Sequence, residues 1–552
     1  MRVRRSQSGR GSRPPVFGSR GGNGTATGRS RVSSLPSWIY AWAILLLVGC
    51  LLCRLWGIDH IPGLNGDEAS TSVLVRDRLA GRDVASPFWT PTHRFIPLYI
   101  APLYLLEYAG LASAWLLRLP GALWGLGLAI GGLWAGRHLF ARPGVGLSVG
   151  LLIACLPTHM AYARLGFDST QVGLATLLPL VAVLRGAWGW GVLAAAFALL
   201  VHPLCIFLAP IGCFALFFDA LPNAQWTPSW RRAAAWGLGL AGVLGAGALK
   251  VLVLDGPSAS QGLSWETLTW DNVAAFCLAI GNMFSGGYTY VYFAGPPPVW
   301  GRALLSALGL CFLLGLLASA WAMRRAIELP MRRRLLAPGC VLGILLYYVV
   351  NAHPEIGTER YFLVFTVATL LSLGIGAERL QWSEAWLAAA GCGLCTLLMG
   401  GFIFFYFLPI GRTGAEVHQT YRTGPVDPKV AAAQWIRADL QRAGRPVDQP
   451  TPVLSDGWWT YWVLRYVGGG PRPLAVRYIP SASARMPAAD LVADMPTLRR
   501  LADQGAYAVG FTDGPLASLM RQNHGLPICT EHPVLAYGGK EVLHVWGFCP
   551  RR

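Results

Sequence analysis

Two acidic residues, Asp67 and Glu68, stand side by side just beyond the first long apolar run, Leu35 to Trp56. Carboxylates held at a membrane face are costly unless they pair or do chemistry. Other ionisable residues open or end further apolar runs: Arg118, Arg164 with Asp168, His202, and Glu359 with Arg360. If those ends share one face, they suit one type of reaction. A carboxylate takes a proton from an incoming hydroxyl, while guanidinium groups hold a phosphate as negative charge builds on it. Arg fits the second task because it stays charged and grips phosphate bidentately. Taken singly, each charge could as well snorkel to water, and Arg164 and Asp168 could pair across one helical turn. A bland interface does not, however, need ionisable side chains from five separate stretches on one face.

The apolar runs that must position these residues decide the class of the protein. The chain has 552 residues, of which 54% are hydrophobic and 13% charged, with a mean hydropathy of +0.45. A water-soluble chain could not hide that much apolar surface. A hydrocarbon core about 30 Å thick needs roughly 20 apolar residues per helix. We read about eleven spans, at 35–56, 118–136, 146–163, 170–184, 188–201, 204–218, 233–254, 300–323, 335–350, 361–377 and 385–408. The predicted fold class is a polytopic α-helical membrane protein (35–408) carrying a small extracytoplasmic α/β domain (409–552). The net charge of +18 does not point to nucleic acid, because the Arg residues lie in short clusters between apolar runs.

Charge sets the expected orientation. Residues 1–34 hold eight Arg and no acid among many Gly and Ser, and read as a disordered cytoplasmic tail of a plasma (inner) membrane protein. The inner loops then contain Arg137, His138 and Arg142; Arg185; Arg231 and Arg232; Arg324, Arg325 and Arg332 to Arg334; and Arg379. Residues 57–117, 255–299 and everything after about 409 face outward. This requires 95–112 to lie along the outer surface, which its two Pro and Glu107 favour. Aromatic residues crowd the 255–299 loop, among them Trp265, Trp270, Phe276, Phe284, Tyr288, Tyr290, Tyr292 and Phe293. They read as an interfacial belt or as a cover on the site, with Gly286-Gly287 as a hinge.

Beyond 409 the composition turns polar. Helical stretches are predicted at Pro428–Ala443 and Ala488–Gly505, and strands at Pro452–Leu454, Ala506–Phe511 and Val542–Trp546. Cys529 and Cys549 could form a disulfide there, whereas Cys50/Cys53 and Cys392/Cys395 sit inside apolar runs as packing residues.

An ordered set of motifs gives a resemblance. GLNGDEAS opens the first loop, RLPGALWGLGLAIGGL (Arg118) begins the second span, and YARLGFDST follows the third. GVLAAAFALLVHP and TERYFLVF come later in the same order. Over residues 35–405 the pattern resembles the C-type glycosyltransferase (GT-C) superfamily, in particular protein O-mannosyltransferases and the aminoarabinose transferases that modify lipid A. The resemblance implies transfer of a sugar from a polyprenyl-phosphate carrier to an acceptor hydroxyl or lipid on the extracytoplasmic side, by direct displacement with inversion.

By the same resemblance Asp67 is the general base with Glu68 beside it, and Asp168 is the second acid. Arg118 and Arg360 match positions tied to the structure of the site or to the carrier phosphate, and Arg164 is a further candidate for holding donor phosphate or substrate. The chain departs from the pattern twice: THRFIPLY replaces a His-Pro-Pro, with His93 as the residue that could line the site, and His202-Pro203 stands where a Lys often precedes the Pro. Asp67, Glu68 and Asp168 could also supply oxygen ligands to a divalent metal. A non-catalytic transporter or flippase of lipid-linked glycans would share the span count, but it calls for ionisable residues in mid-span and for pseudo-symmetric halves. Only Lys250 comes near the first requirement.

Overall fold

The computed structural model describes residues 34–82, 88, 96–111, 113–209, 211–212, 269–326, 328–350, 359–415, 421–446, 448–469, 472–480, 490–522 and 525–550. The basic tail, His93, Lys250, the span expected at 233–254 and most of that at 204–218 lie outside the described residues. Within them, five helices are long and apolar enough to cross a membrane: Ser37–Leu55, Ala114–Leu139, Val299–Arg325, Arg360–Ala377 and Glu384–Thr413. Several of the other expected spans are shorter apolar helices, because Pro breaks them. The run at 146–163 is two helices, Pro143–Cys155 and Pro157–Tyr162, parted at Leu156. Proline has no N–H to continue the ladder and disfavours helical geometry in the residue before it. His202-Pro203 ends Trp188–Val201 in the same way, and a 3-10 turn, Pro203–Leu208, follows.

We number the helices that carry the argument in chain order. They are α1 (Ser37–Leu55), α2 (Gly66–Leu79), α3 (Pro97–Tyr108) and α4 (Ala114–Leu139). With 12 residues, α3 is too short to span a bilayer. The segment 255–299, expected as a loop, is helical from Trp270: Trp270–Ser285 packs along Val299–Arg325. Phe276, Phe284, Tyr290 and Phe293 are buried core residues, whereas Trp270 is 87% exposed. Phe284 stacks on Phe312 with ring centroids 5.2 Å apart, and Phe276 meets Phe362 edge-on at 5.4 Å.

The helix ends sort into two groups. At one end, Arg142 bonds Glu384 at 2.6 Å, Arg333 bonds Glu378 at 3.1 Å, and Arg332 donates to Leu184 O at 2.9 Å. These are the loops read as basic and inward-facing. The other ends carry the acidic first loop and everything described next.

The C-terminal residues form a five-stranded sheet in the order β2-β1-β3-β5-β4. Its strands are β1 (Thr451–Ser455), β2 (Leu474–Tyr478), β3 (Tyr507–Phe511), β4 (Ile528–Leu535) and β5 (Glu541–Phe548). The first three run parallel, and β4 and β5 are antiparallel additions. Two helices matter here, α5 (Pro428–Arg442) and α6 (Trp458–Val467), the latter crossing from β1 to β2. Strands β2 and β4 and helix α6 are absent from the sequence reading, whose polar alternation is weak at those points. Cys529 and Cys549 are joined in a disulfide across the β4–β5 edge.

Asp456 follows β1, where it accepts hydrogen bonds from Thr460 Oγ1 (2.7 Å) and the Phe511 amide (2.8 Å). Burial pushes its carboxyl up to about 6. A folded-state value above that of the unfolded chain means the native state holds the extra proton. The associated stability is full below about pH 4 and is lost as pH rises through about 6. The unfolding midpoint of the C-terminal sheet, followed by tryptophan fluorescence, should therefore fall over that window. Asp456→Asn should flatten the decline, and an identical slope in the variant would contradict the assignment.

Candidate active site

The site begins with how α2 starts. Asn65 caps it: its side chain accepts from the Asp67 amide at 2.6 Å, and its own amide donates to Glu68 Oε1 at 3.2 Å. This reciprocal arrangement fixes the first turn, and the helix N-terminus favours the two carboxylates placed there.

Glu68 and Arg118 then form an ion pair with no solvent exposure on either side chain. Arg118 Nε and Nη2 bond the two carboxylate oxygens at 2.8 and 3.0 Å. The remaining donors reach Ile58 O (2.9 Å), Pro62 O (2.7 Å) and Gly63 O (3.0 Å), while the Gly166 amide donates to Glu68 Oε2 at 2.8 Å. All five N–H groups of Arg118 are thus committed inside the protein. Glu68, expected beside the base at the reacting centre, is thus fully buried, and Arg118 takes the structural of its two expected roles: together they hold the first loop against α4 and the Gly166 turn.

Arg164 is likewise buried. It donates to Cys53 O (2.5 Å), Trp56 O (2.7 Å) and Ile61 O (2.6 Å), and its guanidinium lies 4.8 Å from the Phe407 ring centroid. It caps the carbonyl end of α1, where a cation is favoured. It makes no pair with Asp168, because the helix ends at Tyr162 before the two could align. Asp168 instead accepts from the Ser169 amide at 2.8 Å and faces His202 Nε2 at 3.6 Å. His202 Nδ1 accepts from the Leu204 amide at 3.2 Å, which assigns the ring proton of the neutral tautomer to Nε2, toward Asp168. With 1% of its side chain exposed, His202 is a partner of Asp168 rather than an open phosphate ligand.

Asp67 differs from Glu68 in every respect that matters for chemistry. Its side chain is 38% exposed, and its Oδ2 lies 3.6 Å from Arg360 Nη1. Arg360 stands on the 3-10 turn Glu359–Phe362, with its guanidinium 5.3 Å from the Phe167 ring centroid and 5.1 Å from that of Tyr361. Phe167 immediately precedes Asp168, so Arg360 bridges the Asp67 and Asp168 sides. Tyr99 of α3 completes the wall, donating its hydroxyl to Gly166 O. Burial, and after it the charges of Asp168, Glu68 and Asp67, push its phenol well above the usual range. One side chain therefore feels all three acids.

These acids do not assemble as a metal cage. The Glu68 oxygens are taken by Arg118, Asn65 and Gly166; Asp67 faces Arg360 and Trp458; Asp168 faces Ser169 and His202. Among the described residues no three His, Cys, Asp or Glu side chains gather to hold a metal ion.

No protein-family model and no curated protein matches the chain. Solved structures do. ArnT from Cupriavidus metallidurans bound to undecaprenyl phosphate aligns with a TM-score of 0.54 and 15% identity, over 93% of this chain and 99% of that one. The apo form of the same protein aligns at 0.55 with the same coverage and identity. The chain shares the fold of that protein. A looser likeness, with a TM-score of 0.44 and 13% identity, is to the archaeal oligosaccharyltransferase AglB from Archaeoglobus fulgidus in complex with an inhibitory peptide and a dolichol-phosphate; it covers 86% of this chain and 69% of that one.

Coverage of 93% carries the likeness well past residue 405, where the sequence motifs stop. The C-terminal part has a direct place at the site that sequence reasoning missed. Tyr421 OH accepts from Asn65 Nδ2 at 2.9 Å, Asp427 accepts from the Leu64 amide, and Trp458 Nε1 donates to Asp67 Oδ1 at 3.1 Å. Nothing in the local sequence around Trp458 announces this contact, since its partner lies 391 residues earlier.

Removing one member of a buried pair strands the other charge, at a cost of about 3–5 kcal/mol. Glu68→Gln and Arg118→Met should each lower the thermal unfolding midpoint of the detergent-solubilised protein sharply. The double variant should recover part of the loss, because neither charge is then left alone. If the single variants melted like the wild type, the pair would not be what holds the first loop.

Proposed function

We propose that this protein is a membrane glycosyltransferase that moves a sugar from a polyprenyl-phosphate carrier to an acceptor on the face of the membrane where the first loop lies, the extracytoplasmic face. The observation that carries the reading is the meeting of Asp67 and Arg360, 3.6 Å apart, at a partly exposed position in this fold. A carrier with a long lipid tail partitions into the bilayer, so its phosphate arrives at the level of the helix ends. ArnT, solved bound to undecaprenyl phosphate, shows that the fold accommodates such a ligand in that protein.

The chemistry needs little more than one base and one cation. Asp67 takes the proton of the acceptor hydroxyl as its oxygen attacks the anomeric carbon. The bond from that carbon to the phosphate oxygen breaks, and the carrier phosphate leaves with the electron pair. Arg360 holds the leaving group as charge builds on it, a fixed cation aimed at the developing charge. Its contact with Asp67 is longer than a hydrogen bond, so it can be exchanged for the phosphate without breaking a buried network. Asp168, with His202 Nε2 3.6 Å from it, serves as the second acid, toward the sugar. Direct displacement inverts the anomeric centre.

Purified protein should release free undecaprenyl phosphate, weighed by mass spectrometry, from at least one member of a panel of undecaprenyl-phosphate-linked hexoses and pentoses. NMR of the product should show an inverted linkage. Asp67→Asn should cut kcat by at least about a hundredfold, in the range for loss of a general base. Arg360→Met should mainly raise the donor KM, and an unchanged KM would remove its phosphate role. Near wild-type turnover in the Asp67 variant would sink the assignment. For the face of transfer, a reporter fused after Arg552 should be active outside the cytoplasm; activity inside would reverse the orientation.

A further inference from the structure

Trp458 opens α6 directly after β1, at the carboxyl edge of the parallel strands, where Gly457 with φ 143° turns the chain out of the sheet. Its ring packs on the first turn of α2 so closely that a Cβ at Gly66 would stand 2.8 Å from Cδ1. An edge contact with Trp462, ring centroids 5.6 Å apart, holds it from behind, and it is 9% exposed. The indole N–H is a donor without charge or acceptor capacity, so it can orient a carboxylate without competing for its proton. Here it holds Oδ1, which leaves Oδ2 turned toward Arg360.

The rest of α6 is fastened along α2 in a way that protects this contact. Arg465 Nη2 bonds Asp77 at 2.8 Å, and Arg76 donates to Tyr466 O at 2.8 Å while its Nε reaches Glu107 at 2.9 Å. At the other edge Asp427, 1% exposed, accepts from Leu64 and from the Lys429 amide. Two independent clamps therefore set the distance between the C-terminal sheet and the acidic turn.

We infer that Trp458 is a positioning residue for Asp67, which makes the C-terminal domain a working part of the active site rather than an appendage. A carboxylate on an exposed helix turn exchanges its oxygens freely; held at one oxygen, it presents the other to the acceptor in a fixed direction. Misplacement of a catalytic group by about 1 Å can cost on the order of a hundredfold in rate. The kinetic consequence rests on the transfer reading above, while the contact itself does not.

The test uses the full-length protein in nanodiscs, with Trp458 replaced by Phe (W458F) and by benzothienylalanine, which keeps the bicyclic shape and lacks the N–H. Release of undecaprenyl phosphate should fall in kcat by about tenfold to a hundredfold in both variants. The donor KM should stay within about twofold of the wild type, since ground-state binding is untouched. Wild-type kcat in the benzothienylalanine variant would overturn the inference, and so would a raised KM at unchanged kcat. A second readout needs no turnover. In protein labelled with 15N-tryptophan, the Trp458 indole N–H resonance, identified by its loss in W458F, should move when Asp67 is changed to Asn. An unmoved resonance would overturn the contact. A moved resonance in a protein that releases no carrier from any donor would instead remove the transfer reading and leave the contact standing.

Discussion

One buried ion pair organises the face on which this protein works. Glu68 and Arg118 have no solvent exposure, and each satisfies its remaining bonding capacity with backbone groups of the first loop and of the turn at Gly166. Charges taken out of water are tolerated only when geometry and hydrogen bonding are nearly complete. That requirement leaves the first loop little freedom, since Ile58, Pro62, Gly63, Asn65 and Gly166 must all be in place for the pair to be satisfied. Asp67 inherits its position from the same constraint. It is the residue just before Glu68 on a helix turn that the pair holds, and its side chain stays 38% exposed beside Arg360.

The adjacent acids thus divide the work by environment. Glu68 gives up reactivity to hold the structure, and Asp67 keeps it by remaining partly exposed. The guanidiniums divide similarly. Arg118 and Arg164 are committed to carbonyls and to Glu68, while Arg360 lies partly exposed beside Asp67. The C-terminal sheet adds the last wall. Its parallel strands end against α2, and open α/β sheets characteristically place their functional loops at that edge. A soluble-looking domain thereby becomes part of a membrane site, which fits a structural likeness to ArnT that covers 93% of the chain.

Much of this was legible from residue types. Long apolar runs parted by basic loops announced the membrane helices, and GLNGDEAS marked the acidic turn. Asp67 does lie beside Arg360, and Tyr99 feels the charges of Asp168, Glu68 and Asp67. Less legible was the fate of individual charges. Arg118, Arg164 and His202 have the right chemistry for phosphate, but burial commits Arg118 and Arg164 to the chain's own carbonyls and His202 to Asp168 and the Leu204 amide. The aromatic run near Tyr288 pointed to an interface or a sugar cover, whereas Phe276 and Phe284 became core because Trp270–Ser285 is a packed helix.

Composition and order along the chain by themselves determined the class of the protein, the helical punctuation at Pro203, and the presence of an acidic turn after the first helix. These depend on local hydropathy and backbone chemistry, which need no distant partner. Only the tertiary structure decided which acid is buried and which is open, which arginine stands beside the open acid, and that Trp458 reaches Asp67. Those outcomes depend on desolvation and on hydrogen bonds between residues hundreds of positions apart, and neither quantity exists until the chain is folded.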